Sequence, residues 1–317
     1  MKVKSTQYFD NYKRTNATIS SNSWKEIPHV SFMYEPDVTE LCAVLEKINE
    51  DRKPERKITF DTVIVKIIAE GLKAAPIMNA HIDYKHRFVD GKIKLMKNIN
   101  ISVPIPIDDG KSINVTLKKV NTKSLDKLID DVLDIKRKIA NTNIDQFLFD
   151  SYASTVNTVK KRKSAKFVTH FMSKLINKSE SDSLLKGQDL KDYRKIPKTE
   201  RMLGNQIESA TTSVTSTSSL YLGQRGSTAL MAITPPQVTT FSVGGVTEKP
   251  GVLTNEDGSK SVAVRKIVPI CIAFDHRGLD FGETVPFMKR TDEIFENPEI
   301  INSWLGYEDE LASSIAQ

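Results

Sequence analysis

Apolar residues recur at helical spacing in several parts of the chain, with polar residues on the opposite faces. Asp37 precedes the first of these patterns and predicts its N-cap. Thr59 predicts the N-cap of a second helix, which has a broad apolar face and ends at Pro76. A third helix is predicted to begin at Ser124 and a fourth to span about 281–295.

Short alternating or continuous apolar runs between these helices predict β-strands. Two pairs of runs flank turn signals, at Asp90-Gly91 and at Asp108-Asp109-Gly110. Further strands are predicted at residues 211–222, 241–246 and 262–274. The near-continuous apolar run 267–274 is typical of a strand buried on both faces. This alternation predicts an α/β fold with a mixed sheet and flanking helices, and residues 1–317 are predicted to form a single domain.

The positive charge of the chain is concentrated in one segment. The formal net charge is +6, and residues 160–198 contain 12 Lys and Arg against 4 Asp and Glu, so the remainder is close to neutral. We predict that residues 157–209 are a basic insertion or lid within the domain and that the polar residues 1–22 are a loosely attached arm. The basic helix predicted at 160–178 has two interpretations, a solvated face or a contact with an acidic partner or an anionic membrane surface.

Several classes of protein are excluded by what the sequence lacks. It has no apolar run of 18 residues and no apolar stretch after its first lysines, so neither a membrane span nor a secretory signal is predicted. No recognisable nucleic-acid-binding motif accompanies the basic segment, so nucleic acid is not a predicted partner. The motifs of serine hydrolases, phosphate loops and dinucleotide sites are absent. Cys42 and Cys271 lie inside apolar patterns, which favours a reducing, cytoplasmic setting.

One histidine stands directly after the most apolar strand, in the stretch Phe274-Asp275-His276-Arg277-Gly278-Leu279-Asp280-Phe281-Gly282. An imidazole needs only a modest shift to serve as a base near neutral pH, so His276 is a candidate catalytic residue. The other histidines lie in contexts typical of solvated or structural side chains, at His29, His81, His86 and His170. No second His or Cys is near His276 and Asp280 in sequence, so no metal site is predicted.

This stretch resembles the active-site motif of the 2-oxo acid dehydrogenase acyltransferases, which share its looser form, His-x-x-x-Asp-Gly, with chloramphenicol acetyltransferase. Other stretches resemble the same family in the same order, at residues 23–30 with 37–41, at 76–80, and at 234–237 with 244–246. The resemblance covers about residues 20–150 and 205–300. It implies a chloramphenicol acetyltransferase-like two-layer sandwich with a mixed sheet and flanking helices.

The resemblance also implies a reaction, an acyl transfer in which coenzyme A (as acyl-CoA) is a cosubstrate and a thiol, hydroxyl or amine is the acyl acceptor. His276 is expected to be the general base. A hydroxyl that stabilises the oxyanion is expected at Ser219, or at its neighbour if the register differs by one. Asp280 is expected to support the turn through a salt bridge with an arginine, Arg277 to be structural and Asp275 to be a surface or turn carboxylate. A homotrimer with the active site at the subunit interface is implied as well.

Two features depart from the family. Phe281 stands where the motif has glycine, and no lipoyl domain precedes the matched region, so no covalently bound lipoyl group is expected on this chain. These departures leave open a catalytically silent assembly scaffold that retains the trimeric fold. If the chain is an enzyme, the acceptor is open between lipoamide and a small alcohol or amine. The basic helix at 160–178 could then also meet the phosphates of coenzyme A.

Overall fold

The computed structural model describes residues 2–6, 8–9, 11–107, 112–151, 184–207, 210–217, 224, 226–255 and 257–306. The chain forms two compact units. The smaller unit comprises Met1–Asn22 and Leu133–Glu208, and the larger unit comprises Ser23–Val132 and Ser209–Gln317. Within the described ranges, no helix has both the length and the apolar character needed to cross a membrane.

The principal helices largely follow the apolar patterns of the sequence. Their bounds are α1 Asn11–Glu26, α2 Thr39–Ile48, α3 Phe60–Ala74, α4 Leu125–Ala140, α5 Gly187–Lys195 and α6 Phe281–Glu296. Thr59 caps α3 as predicted, because its hydroxyl accepts a hydrogen bond from the Thr62 N–H at 3.2 Å. Ser124 likewise accepts from the Lys127 N–H at 3.2 Å at the start of α4.

Two details at the N-terminal helices differ from the sequence-based predictions. Helix α1 was not predicted, because its sequence is polar and carries no apolar stripe. The N-cap of α2 is Val38 rather than Asp37. The Asp37 carboxylate still accepts from the Thr39 N–H at 2.9 Å, and it also pairs with Arg265 at 2.5 Å.

A six-stranded mixed sheet forms the core of the larger unit, in the order β1-β10-β7-β6-β4-β5. Its strands are β1 His29–Tyr34, β4 Ile101–Pro106, β5 Ser112–Leu117, β6 Thr212–Ser216, β7 Thr239–Val243 and β10 Ile270–Asp275. β10 is antiparallel to both β1 and β7, whereas β6 is parallel to β4 and β7. The prediction of an α/β fold with a mixed sheet and flanking helices is confirmed.

One face of this sheet is apolar and is covered by helices α3 and α6. The rings of Phe241 on β7 and Phe287 on α6 stack with centroids 5.4 Å apart. The two helices approach closely because Gly71 has no side chain, and a Cβ there would lie 2.6 Å from the Phe287 ring. β10 is buried along its whole length, which confirms the prediction from its apolar run. The predicted strand 262–274 is however divided in two by Val268 and Pro269.

Two hairpins accompany the sheet, β2 Ala80–Lys85 with β3 Asp90–Leu95 and β8 Thr247–Thr254 with β9 Lys260–Ile267. The turn predicted at Asp90-Gly91 is wrong by a few residues, since Asp90 already begins β3. The chain reverses instead at His86–Phe88 and at Val89, whose φ is 49°. The predicted turn 108–110 and the predicted basic helix 160–178 lie outside the described residues.

The smaller unit contains the described part of the predicted insertion, residues 184–207. The Met202 N–H donates to the Thr142 hydroxyl at 2.8 Å, and Arg137 pairs with Glu200 at 3.0 Å. Tyr193 on α5 is buried, with the Arg201 guanidinium 5.0 Å above its ring. These contacts attach α5 and the segment after it to the end of α4 within this unit.

Candidate active site

His276 follows the last residue of β10, where the chain leaves the sheet in a tight turn. Its backbone N–H donates to the Pro28 carbonyl at 3.0 Å, which fixes the start of the turn against the residue before β1. The N–H groups of Gly278 and Leu279 both donate to the Asp275 carbonyl at 3.1 Å, which closes the turn. The backbone around the imidazole is therefore held on both sides.

The ring of His276 is oriented by the turn itself. Its Nδ1 lies 2.9 Å from the Leu279 carbonyl oxygen. A carbonyl can only accept a hydrogen bond, so Nδ1 carries the proton and Nε2 of the neutral ring is left as an acceptor. His276 is exposed in the single chain, so Nε2 is open to a group with a proton to give. This is the arrangement that a general base needs.

Asp275 is a turn carboxylate, which is one of the two alternatives expected from the sequence, but it does not lie at the surface. Its side chain is 0% exposed and receives two branches of the Arg277 guanidinium, with Nη2 at 2.6 Å and Nε at 3.0 Å. The Arg277 backbone N–H also donates to it at 3.0 Å. A buried carboxylate needs such a partner, because an unpaired charge in the interior is strongly unfavourable. Arg277 therefore has a structural role, because it neutralises the buried Asp275 carboxylate at the turn.

Asp280 supports the turn by a different interaction from the expected salt bridge with an arginine. It is the N-cap of α6, where its carboxylate accepts from the Phe281 N–H at 2.8 Å. The Asp280 N–H donates back to the Glu283 carboxylate at 2.8 Å, so the two residues form a capping box. The ion pairs found among the described residues do not include Asp280. Its position directly after Leu279 links the start of α6 to the carbonyl that orients His276.

The β2–β3 hairpin packs behind this turn. A Cβ on Gly278 would lie 3.2 Å from the side chains of Ile82 and Ile93, so the turn approaches the hairpin closely at this glycine. The Arg277 guanidinium lies over the Tyr84 ring, 5.2 Å from its centroid. No pattern in the sequence predicts that this hairpin and the histidine turn meet.

Ser219 lies outside the described residues, and the strand that leads towards it ends at Ser216. Through β7, Ser216 is level with Ile270, the first residue of β10. Asp275 is at the other end of β10, about 17 Å away along the strand direction at ~3.3 Å per residue. The ends of β6 and β10 thus lie at opposite ends of the same sheet.

His29 is a second histidine beside the turn, and its sequence context did not distinguish it. It pairs with Asp275 across β1 and β10, and its Nε2 accepts a hydrogen bond from the Ile233 N–H at 3.1 Å. Burial lowers the pKa of the His29 imidazole below its usual value. The neutral ring therefore holds the chain at Ile233 against the edge of the sheet.

In the described part of the chain, no group of three or more His, Cys, Asp or Glu could hold a metal ion.

Residues 3–152 and 176–302 match the 2-oxoacid dehydrogenases acyltransferase (catalytic domain) family. The chain is 29% identical over 145 residues to the dihydrolipoyllysine-residue acetyltransferase component of the pyruvate dehydrogenase complex of Buchnera aphidicola, covering 44% of this chain and 35% of that protein. It is 23% identical over 288 residues to the lipoamide acyltransferase component of the branched-chain alpha-keto acid dehydrogenase complex of Bacillus subtilis, covering 90% and 50%. The chain therefore spans between a third and half of the length of these relatives.

Two solved structures have a similar fold. The cubic core of a pyruvate dehydrogenase multienzyme complex superposes with a TM-score of 0.63 at 17% identity, covering 94% of this chain and 93% of that chain. The dihydrolipoamide acetyltransferase of Azotobacter vinelandii superposes with a TM-score of 0.59, also at 17% identity, with the same coverage. At this level of identity the similarity concerns the fold.

Proposed function

The chain belongs to the 2-oxoacid dehydrogenases acyltransferase (catalytic domain) family, and from that premise we propose that it transfers an acyl group between coenzyme A and an acceptor. The observation that carries this proposal is the orientation of His276. The hydrogen bond from Nδ1–H to the Leu279 carbonyl, 2.9 Å long, leaves Nε2 free to accept a proton at an exposed position.

In the proposed reaction, Nε2 of His276 takes the proton from the thiol of the acceptor or of coenzyme A. The sulfur then attacks the thioester carbonyl carbon and forms a tetrahedral intermediate, whose oxyanion accepts a hydrogen bond from the Ser219 hydroxyl. Collapse of the intermediate breaks the original carbon–sulfur bond, and His276 returns its proton to the departing sulfur. No bond to the protein forms, so the chain needs no nucleophilic side chain.

We also propose that His276 and Ser219 meet between two copies of the chain, in a homotrimer. The antiparallel relation of β6 and β10 supports a site shared between copies, and the number of three copies is what the family resemblance implies. Ser219 follows Ser216 by three residues, which span at most about 11 Å when fully extended. That reach is shorter than the ~17 Å between the two strand ends, and His276 lies a further residue beyond Asp275. A second copy that presents the end of its β6 strand to the His276 turn would complete the site.

The relatives support lipoamide as the first acceptor to test. The curated relatives are named for lipoyllysine or lipoamide acyl transfer.

The spacing of His276 and Asp280 has a parallel in the Azotobacter vinelandii enzyme. A serine, a histidine and an asparagine have a role in the catalytic mechanism of that enzyme, and its histidine and asparagine are four positions apart. His276 and Asp280 have that same spacing here. Asparagine and aspartate are equally good N-caps, which suits the role of Asp280 at α6.

Phe281 no longer favours a silent scaffold. Its backbone is the first residue of α6, so a side chain there causes no strain at the turn, and its ring packs edge-to-face on Phe32 at 5.2 Å. A cytoplasmic setting, a single domain and a partner for residues 160–178 stay predictions from the sequence.

The experiment measures acyl transfer from acetyl-CoA to free dihydrolipoamide, for the unchanged protein and for His276→Ala and Ser219→Ala. We expect His276→Ala to lower kcat by about 100- to 10,000-fold, because proton transfer is lost. Ser219→Ala is expected to lower kcat by about 100- to 1,000-fold, because one oxyanion donor is lost. His86→Phe, which removes an exposed imidazole from the β2–β3 hairpin but keeps an aromatic ring against Tyr84, is the matched control and should leave kcat unchanged.

Two results would contradict the proposal. The first is acyl transfer by His276→Ala at the rate of the unchanged protein, which would remove the general base from the mechanism. The second is a monomer by light scattering at every concentration that is nevertheless active, which would refute a site shared between copies. An unchanged protein that binds acetyl-CoA without turnover, for any of several thiol, alcohol and amine acceptors, would favour the scaffold.

A further inference from the structure

Arg277 stands next to the proposed base but points away from it, towards the interior. Its guanidinium contacts the fully buried Asp275 through Nη2 at 2.6 Å and through Nε at 3.0 and 3.1 Å. The Arg277 side chain itself is only 13% exposed. Such a forked, largely desolvated pair is geometrically demanding, because two N–H groups must meet two oxygens at once.

The other side of the same guanidinium lies against the β2–β3 hairpin. The Tyr84 ring is 5.2 Å from the Arg277 guanidinium carbon, within the range of a cation–π contact. Arg277 therefore connects two separate elements, the end of β10 through Asp275 and the hairpin through Tyr84. A residue held from both sides has little freedom to move.

These contacts bear directly on the orientation of His276. Asp275 binds Arg277 through its carboxylate, while its carbonyl accepts from the Gly278 and Leu279 N–H groups. The Leu279 carbonyl is the group that holds Nδ1 of His276. A shift of Arg277 would thus move the turn that fixes which imidazole nitrogen carries the proton.

We propose that Arg277 is a positioning residue for His276, which acts by clamping the turn between the buried Asp275 carboxylate and the Tyr84 ring. This inference rests on the proposed acyl transfer and adds a determinant of its rate. Arginine is required because its planar fork meets the carboxylate through two donors and also stacks on an aromatic ring. Lysine keeps the charge but offers a single point contact.

The test is Arg277→Lys in the full chain, with Arg290→Lys as the matched control. Arg290 pairs with Glu293 on the exposed side of α6, so its exchange tests the chemical change without touching the turn. We expect Arg277→Lys to lower kcat by about 10- to 100-fold, the scale of a misplacement of about 1 Å. The KM for acetyl-CoA and the circular dichroism spectrum should be those of the unchanged protein.

A second readout does not depend on turnover. Long-range ¹H–¹⁵N spectra of the histidine side chains distinguish the two neutral tautomers. In the unchanged protein His276 should be protonated at Nδ1, and in Arg277→Lys a mixture should appear. If the unchanged protein has no transferase activity but the tautomer still responds to Arg277→Lys, the positioning role stands and the proposed function fails. Retention of both kcat and the Nδ1–H tautomer in Arg277→Lys would overturn the positioning role.

A further pair of variants covers the case in which Arg277→Lys does not fold. Tyr84→Leu removes the ring and leaves the ion pair, whereas Tyr84→Phe keeps the ring and loses only the hydroxyl. We expect Tyr84→Leu to lower kcat and to broaden the tautomer distribution, and Tyr84→Phe to leave both unchanged. Equal behaviour of these two variants would exclude the aromatic side of the clamp.

Discussion

Asp280→Ala tests the role of Asp280 at the turn, because two interpretations of this carboxylate make different predictions. If it caps α6, the loss is a helix cap. If it holds the turn through its charge, as in the salt bridge expected from the sequence, the loss is electrostatic. Asp280→Asn separates the two, since asparagine caps a helix as well as aspartate but carries no charge.

The magnitude follows from the contacts at the start of α6. Asp280→Ala removes the hydrogen bond that the carboxylate accepts from the Phe281 N–H, whereas the backbone bond to Glu283 can still form. Loss of a cap of this kind costs about 1 kcal/mol, and the negative charge at the helix N-terminus adds about 0.3–1 kcal/mol. We therefore expect Asp280→Ala to lower the free energy of unfolding by about 1–2 kcal/mol.

In Asp280→Ala, kcat should fall by more than the loss of folding stability alone would cause. The residue before the cap is Leu279, whose carbonyl orients His276. A looser helix start should let this carbonyl move and lower kcat by about 10-fold or more. Ser124→Ala is the matched control, because it removes a hydroxyl cap from α4 at 3.2 Å. We expect a similar loss of stability in Ser124→Ala and no loss of kcat.

Urea unfolding followed by circular dichroism gives the stability, and acetyl transfer to dihydrolipoamide gives kcat. We expect Asp280→Asn to unfold within about 1 kcal/mol of the unchanged protein, since the cap is kept and only the interaction of the charge with the helix N-terminus is lost, and to retain most of its activity. Loss of activity in Asp280→Asn equal to that in Asp280→Ala would show that the charge, not the cap, supports the turn. A stable Asp280→Ala would refute the capping argument itself.

Three further predictions concern stability and pH. The carboxylate of Asp126 is largely buried, and burial raises its pKa. Hydrogen bonds from Arg52 and from the backbone lower the pKa by more than burial raises it, so the pKa lies below the usual 3.8. Arg52→Gln should therefore cost about 3–5 kcal/mol in urea unfolding at pH 7, and the difference should shrink below pH 3.8, as the carboxylate of the unchanged protein protonates. Burial lowers the pKa of His29 below 6.5, so the unfolded chain binds the proton first; stability should fall as pH drops from above 6.5, and His29→Gln should remove this part of the slope. Phe281 is 53% exposed, so Phe281→Gly should lower the free energy of unfolding by only about 1–2 kcal/mol, because glycine weakens the helix start and the contact with the Phe32 ring is lost. If the unchanged protein is inactive and Phe281→Gly gains activity, that result would support the scaffold.

Local patterns were sufficient for much of the fold. The helix caps at Thr59 and Ser124 follow from residue types whose hydroxyls satisfy free N–H groups at a helix start. The buried strand β10 follows from a continuous apolar run. The histidine after that run could also be found from sequence, because the end of a buried strand followed by a helix start is a recognisable local arrangement. These features depend on neighbours a few residues apart.

Other features depend on contacts between distant parts of the chain, and sequence did not supply them. The sequence around Asp275 predicts a surface or turn carboxylate. The carboxylate is buried only because β10 packs between β1 and β7, and burial requires Arg277 as its partner. Strand β8 and helix α1 have no clear apolar pattern, so tertiary contacts decide their structure. The turn of the β2–β3 hairpin lies a few residues before the Asp-Gly signal, at Val89 in the left-handed region.

Residue types alone are enough to propose the chemical groups of the site, which are a base at His276, a supporting carboxylate at Asp280 and a hydroxyl-rich stretch before Ser219. The folded arrangement sets how these groups can act. The turn assigns the proton of His276 to Nδ1, and the sheet sends β6 and β10 in opposite directions, so one chain separates the base from the hydroxyl strand. Residue types determine which bonds a group can make, whereas the direction of each strand determines which groups lie within bonding distance.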